Sequence, residues 1–223
     1  MSRYANALNI SSTHPGERAS ARSSPALLAA LLIGLAVAYI LPWLTGPGAG
    51  LTFNGRDLAE WVSLYPAARA ETPPLLTPLL LRLPLALAGL IAVVGLASPW
   101  LRALAAGVTA LALMPPLDFF LGSSADPNYR QQFALAVGVL AGSVLLTRWP
   151  SRRAACAGLG ALGFLALAAG LPRAHSIAAL AGIQVELGPG GLLMAALFLA
   201  LTARALLIKQ TRQPHTTVSS QGI

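Results

Sequence analysis

The stretch "LLLRLPLALAGLIAVVGL", residues 79–96, decides how this chain is read. It holds a single charge, Arg82, among apolar side chains, glycines and one proline. At 1.5 Å per residue, about 20 such residues carry an α-helix across a hydrocarbon core roughly 30 Å thick. With its flanks, 76–97, the stretch has that length and reads as a membrane span. Arg82 is then the first residue that needs an explanation.

Outward from there, further apolar runs lie at about 26–44, 101–121, 132–148, 154–171 and 191–208, so that the sequence predicts six spans. None alternates with the period of two that a membrane barrel needs, and a bilayer forces the backbone to satisfy its own hydrogen bonds, so the runs are read as helices. The composition agrees: 56% of the 223 residues are hydrophobic and 10% charged, with a mean hydropathy of +0.68. Soluble domains carry roughly a quarter charged residues, which excludes an ordinary soluble enzyme. The expected fold class is an all-α integral membrane protein, a six-helix bundle over 25–208. Polar, disordered tails are expected over 1–24 and 209–223. Ser24 and Pro25 read as the cap and first position of the first helix, and the long polar leader argues for an uncleaved anchor.

The net charge of +8 does not point to nucleic acid, because the basic residues sit between apolar segments and form no stripe with interleaved aromatics. Lys and Arg beside span ends set orientation instead. The N-terminal tail, the turn after span two, the link after span four and the C-terminal tail together hold ten: Arg3, Arg18, Arg22, Arg102, Arg148, Arg152, Arg153, Arg204, Lys209 and Arg212. The other segments, 45–75, 122–131 and 172–190, hold four: Arg56, Arg69, Arg130 and Arg173. The bias predicts cytoplasmic termini, and the Ala-, Leu-, Gly- and Arg-rich composition with a single Lys suits a bacterial cytoplasmic membrane, with the lipid bilayer, and possible other membrane subunits, as partners.

An intramembrane charge is costly and needs a partner. If spans two and three form a hairpin turning near Trp100, position 82 lies opposite 118, which is Asp in "MPPLDFFL". Arg82 and Asp118 are therefore the predicted ion pair, roughly 27 Å from the turn and near the outer boundary. In 53–71, Asn54 reads as a helix cap, and Leu58, Trp61, Val62 and Tyr65 share one helical face, which predicts a short interfacial helix on the outer leaflet, an anchor or lid packed on the bundle, with a partner-binding or substrate-gating role as the alternative. "GLGALG", 158–163, has the dinucleotide spacing but lies inside a span without the strand that motif requires. Gly158, Gly160 and Gly163, with Gly138 and Gly142 in the span before, are read as helix-packing residues, and the hairpin of spans four and five as the most closely packed part.

One cysteine, Cys156, supports neither a disulfide nor a thiolate site within the chain. His175, Gln184 and Glu186 occupy the last outer loop without ligand spacing. No H-E-x-x-H, P-loop or G-x-S-x-G occurs, so no catalytic residue, metal or cofactor is expected. The reading is a non-enzymatic multi-pass protein, standing alone or as an accessory subunit of a membrane complex. The alternative is a small transporter or channel with an outward-facing polar cavity near Arg82 and Asp118.

Overall fold

The computed structural model describes residues 25–47, 51–122 and 124–207. The tails predicted to be disordered, and the cap at Ser24, lie outside these residues. In chain order the elements are α1 (Pro25–Ile40), β1 (Leu44–Thr45), β2 (Thr52–Phe53), α2 (Gly55–Ser63), α3 (Pro66–Arg69), α4 (Leu76–Gly95), α5 (Pro99–Leu113), α6 (Asp118–Leu121), α7 (Pro127–Thr147), α8 (Arg152–Leu180), β3 (Glu186–Leu187) and α9 (Pro189–Leu207). The molecule is mostly helical, and four helices, α4, α7, α8 and α9, are long and apolar enough to cross a membrane. α1 and α5 are apolar but shorter.

Prolines explain where the helices depart from the predicted runs. The third run was expected to reach 121, but α5 stops at Leu113 because Met114, before Pro115 and Pro116, is pushed to extended backbone at ψ 137°. The chain resumes only as the four-residue α6. Asp126 caps α7 by accepting from the Asn128 N–H at 2.7 Å, and Pro127 takes the first helical position. That helix therefore starts five residues before the predicted 132. Conversely, α8 runs through Pro172 to Leu180, absorbing half of what was read as a loop.

α4 is central: it packs against α5, α7, α8 and α2, while α9 closes the far side against α8 and α1. The long connections all gather at one end, called here the loop end. β1 pairs antiparallel with both β2 and β3, Leu44 facing Phe53 on one side and Leu187 on the other. Trp43 is fully buried beneath this sheet and donates through Nε1 to the Ala38 carbonyl at 2.9 Å. The Gly188 N–H donates to the Trp43 carbonyl and the Gly190 N–H to the Pro42 carbonyl, both at 2.8 Å. A Cβ on Gly190 would lie 2.5 Å from the Leu41 carbonyl oxygen, so only glycine permits this crossing of the 41–43 and 188–191 segments.

Candidate functional site

The predicted pairing of Arg82 with Asp118 is replaced. Arg82 sits in the second turn of α4 at 3% exposure, and its Nη2 meets Glu60 Oε1 at 3.0 Å. Its Nη1 donates to Gln131 Oε1, also at 3.0 Å. Asp118 is exposed on α6. The hairpin arithmetic required one unbroken helix from 101 to 118, and the Pro115–Pro116 break moves Asp118 off that line. Arg82 lies about 9 Å along α4 from its loop-end start.

Around this pair, three helices supply a polar cluster. Glu60 Oε1 also accepts from Gln132 Nε2 at 2.9 Å, and its Oε2 accepts from Asn128 Nδ2 at 3.3 Å. Gln131 in turn donates through Nε2 to the Leu75 carbonyl at 3.0 Å. Leu75 is buried in the left-handed region at φ 59°, immediately before α4, a conformation that costs a non-glycine residue about 1–2 kcal/mol. Glu71 supports this entry by accepting from the Thr77 N–H at 2.7 Å and from the Thr77 hydroxyl. Nearby, Arg69 lies 3.6 Å from Asp126, so the segment before α4 is tied to the start of α7 twice.

The cluster is almost closed. Arg82, Asn128 and Gln132 are buried, whereas the Glu60 side chain keeps 42% exposure. Asn128 Oδ1 is buried without a hydrogen-bond partner among the described residues. An ionised guanidinium out of water is costly by several kcal/mol unless paired and hydrogen-bonded, and Glu60 with Gln131 meets both conditions. The chemistry within reach is charge neutralisation and fastening of α2 and α7 onto α4.

The helix expected over 53–71 forms as α2, with Asn54 Oδ1 accepting from the Arg56 and Asp57 N–H groups, both at 3.0 Å. Leu58 and Val62 are fully buried in the protein core, the packing expected of an anchor or lid on the bundle. Only Trp61 and Tyr65 stay partly accessible, their rings 4.5 Å apart, with Phe53 5.1 Å from Trp61. α2 is thus a lid on the bundle, and Glu60 hangs from its other side.

The glycines divide. Gly163 abuts the Phe198 ring of α9, where a Cβ would come within 2.5 Å, and Gly160 abuts Thr202 of the same helix at the same distance. Gly142 lies beside Leu90 of α4 at 3.3 Å, and Gly138 and Gly158 face open space. The close glycine contact therefore joins α8 to α9 and not α7 to α8: both helices pack on α4, but α8 turns Gly160 and Gly163 to α9 while α7 packs on α5. Glycine spacing marks a face that can approach another helix, but not which helix approaches it.

Glu60, Asn128, Gln131 and Gln132 were absent from the predicted sites. Their signal was present: 128, 131 and 132 share a helical face once α7 is started at Pro127, and "ADP" before them is a cap followed by an N-terminal proline. His175 stands apart, its Nε2 3.1 Å from the Val185 carbonyl oxygen. No group of three or more potential metal ligands occurs among the described residues. Compared with known proteins, the chain matches no family model, no curated protein and no solved structure.

Proposed function

We propose that this chain is a six-span integral membrane protein of a bacterial cytoplasmic membrane, with both termini cytoplasmic, acting without catalysis as a stand-alone or accessory component of a membrane assembly. α1 and α5 complete the six spans by crossing with their flanking residues. The observation that carries the reading is the Arg82 cluster: its buried cation is engaged by Glu60 and Gln131 of the same chain, so the polar interior has a fastening role. α7 supports the accessory role, since Phe133, Val137, Leu140 and Val144 are exposed and Gly138 opens onto free space. That face suits lipid or a neighbouring helix. The 45–75, 122–131 and 172–190 segments meet through the sheet and the Arg69–Asp126 pair, which fits the alternation that places them on one side.

The test is purification of the tagged full chain in mild detergent with mass spectrometry of its companions. Stoichiometric partners that are lost in Gly138→Leu support the subunit role. A lone species whose membrane phenotype survives Gly138→Leu overturns it. Orientation is read by a reporter active only outside the cytoplasm: fused after Ile223 it stays silent, and a signal reverses the topology.

A second reading, a small transporter or channel, is favoured by the accessible edge of Glu60 and by the unpartnered Asn128 Oδ1. It predicts solute uptake that falls in Glu60→Gln while the fold survives.

A further inference from the structure

At the end opposite the loops, a cleft of about 410 Å³ lies between the α4–α5 turn and the last turns of α7. Arg102 lines it from α5 and Arg148 from the end of α7, with Ser143 and Thr147 between them. Arg102 is held in place: its Nε donates to the Leu96 carbonyl at 2.7 Å and its Nη2 to the Ala97 carbonyl at 3.0 Å. Among the described residues its Nη1 has no hydrogen-bond partner, and neither has the Arg148 guanidinium a hydrogen-bond or ion-pair partner.

Nothing in the neighbouring sequence can neutralise the pair. Residues 72–117 and 127–185 contain no Asp or Glu, and the Arg82–Glu60 and Arg69–Asp126 pairs both lie at the other end. Two further features agree. Ser98 makes no side-chain cap at the start of α5, so first-turn N–H groups remain available beside the cleft, where the helix end favours an anion. Trp100 and Trp149 are 73% and 55% exposed at this end, as befits side chains at headgroup level. Val144 and Leu145 continue the exposed surface as an apolar wall.

We propose that this cleft binds the phosphate of an anionic phospholipid, held between Arg102 and Arg148 with its acyl chains along α7. Two cations converging from different helices on one apolar-walled cleft match a phosphodiester carrying hydrocarbon chains, and basic pockets between membrane helices take such headgroups. The inference rests on membrane insertion as proposed above and is independent of which end is cytoplasmic.

The purified full chain in neutral detergent is titrated with phosphatidylglycerol and, separately, phosphatidylcholine, and bound lipid is read by native mass spectrometry. Wild type is expected to take one phosphatidylglycerol at least tenfold more tightly than phosphatidylcholine. Each arginine is expected to contribute about fivefold, the factor matching ~1 kcal/mol per basic residue at an anionic surface. Arg148→Ala, which removes no side-chain hydrogen bond or ion pair among the described residues, should therefore lose about fivefold, Arg148→Lys should recover most of it, and Arg102→Ala with Arg148→Ala should lose about 25-fold. Arg173→Ala, the same charge change at the loop end, should leave binding unchanged. Equal affinity for the two lipids in wild type overturns the proposal, as does retention within twofold by the double variant, or an equal loss in Arg173→Ala. Retention in the membrane pellet after an alkaline carbonate wash reports insertion separately, so a failed cleft is distinguished from a failed membrane reading.

Discussion

The two ends of the bundle dispose of arginine in opposite ways. At the loop end Arg82 is buried, and the chain brings Glu60 from 22 residues upstream and Gln131 from 49 downstream to meet it. At the other end, Arg102 and Arg148 line an open cleft whose surrounding segments hold no carboxylate. The difference follows from connection length. The loop end has long connections that carry α2, α3, a sheet and most of the acidic residues, so it can build its own counter-charges. The links 96–98 and 148–151 are too short to build anything, and their charges are left to the surroundings.

The sharpest way to break this comparison is Glu60→Ala, which strands a buried guanidinium. It should cost about 3 kcal/mol by chemical denaturation in detergent, with Glu60→Gln costing less because the remaining amide oxygen can still accept from Arg82 and Gln132, the two donors that Glu60 Oε1 now serves. A double-mutant cycle with Arg82→Met should then show a coupling above about 1 kcal/mol. If Glu60→Ala costs under about 0.5 kcal/mol, the range of an ordinary surface substitution, the loop end does not depend on internal pairing.

Next come the glycines that admit another backbone or ring. Gly163→Ala against Phe198 and Gly190→Ala against the Leu41 carbonyl should each destabilise by about 1–3 kcal/mol, the range for overpacking, visible as a lower thermal midpoint. Gly138→Ala and Gly158→Ala should go the other way, stabilising by roughly 0.5–1 kcal/mol, because helical alanine is favoured over glycine and nothing stands in its place. A destabilising Gly138→Ala that appears only in native membranes would identify a neighbour on α7. The smallest effect belongs to Asp118→Asn: within about 0.5 kcal/mol, and additive with Arg82→Met. Coupling there would restore the discarded pair.

Much of the helical framework was legible because long apolar runs have few alternatives. The interior of every predicted run except 101–121 is helix in the structure, and α4 matches its predicted run to within two residues at its end. Errors gathered at proline. Pro115–Pro116 ended a helix that apolarity alone extended to 121, while Pro172 failed to end α8, because a proline removes one backbone donor and neighbouring packing decides whether the helix survives that loss. The site was legible by half. Arg82 announced itself as a charge in an apolar run, but its partner came from α2, whose register against α4 no hairpin arithmetic contains. Asn128 and Gln131 fall in the predicted 122–131 loop and Gln132 at the edge of the next run, until the Asp126 cap is counted and all three join one helical face.

By itself the sequence determined that apolar helices dominate, where most of them run, and that positive charge is segregated to alternate connections. These are local properties, dictated by hydropathy and by the backbone's need to satisfy its own hydrogen bonds. The tertiary structure alone decided that Glu60 neutralises Arg82, that α8 shares its glycine face with α9, and that Arg102 and Arg148 line one cleft. Each depends on how helices distant in sequence are rotated and stacked. That arrangement is set by the summed packing of many side chains, to which no single motif corresponds.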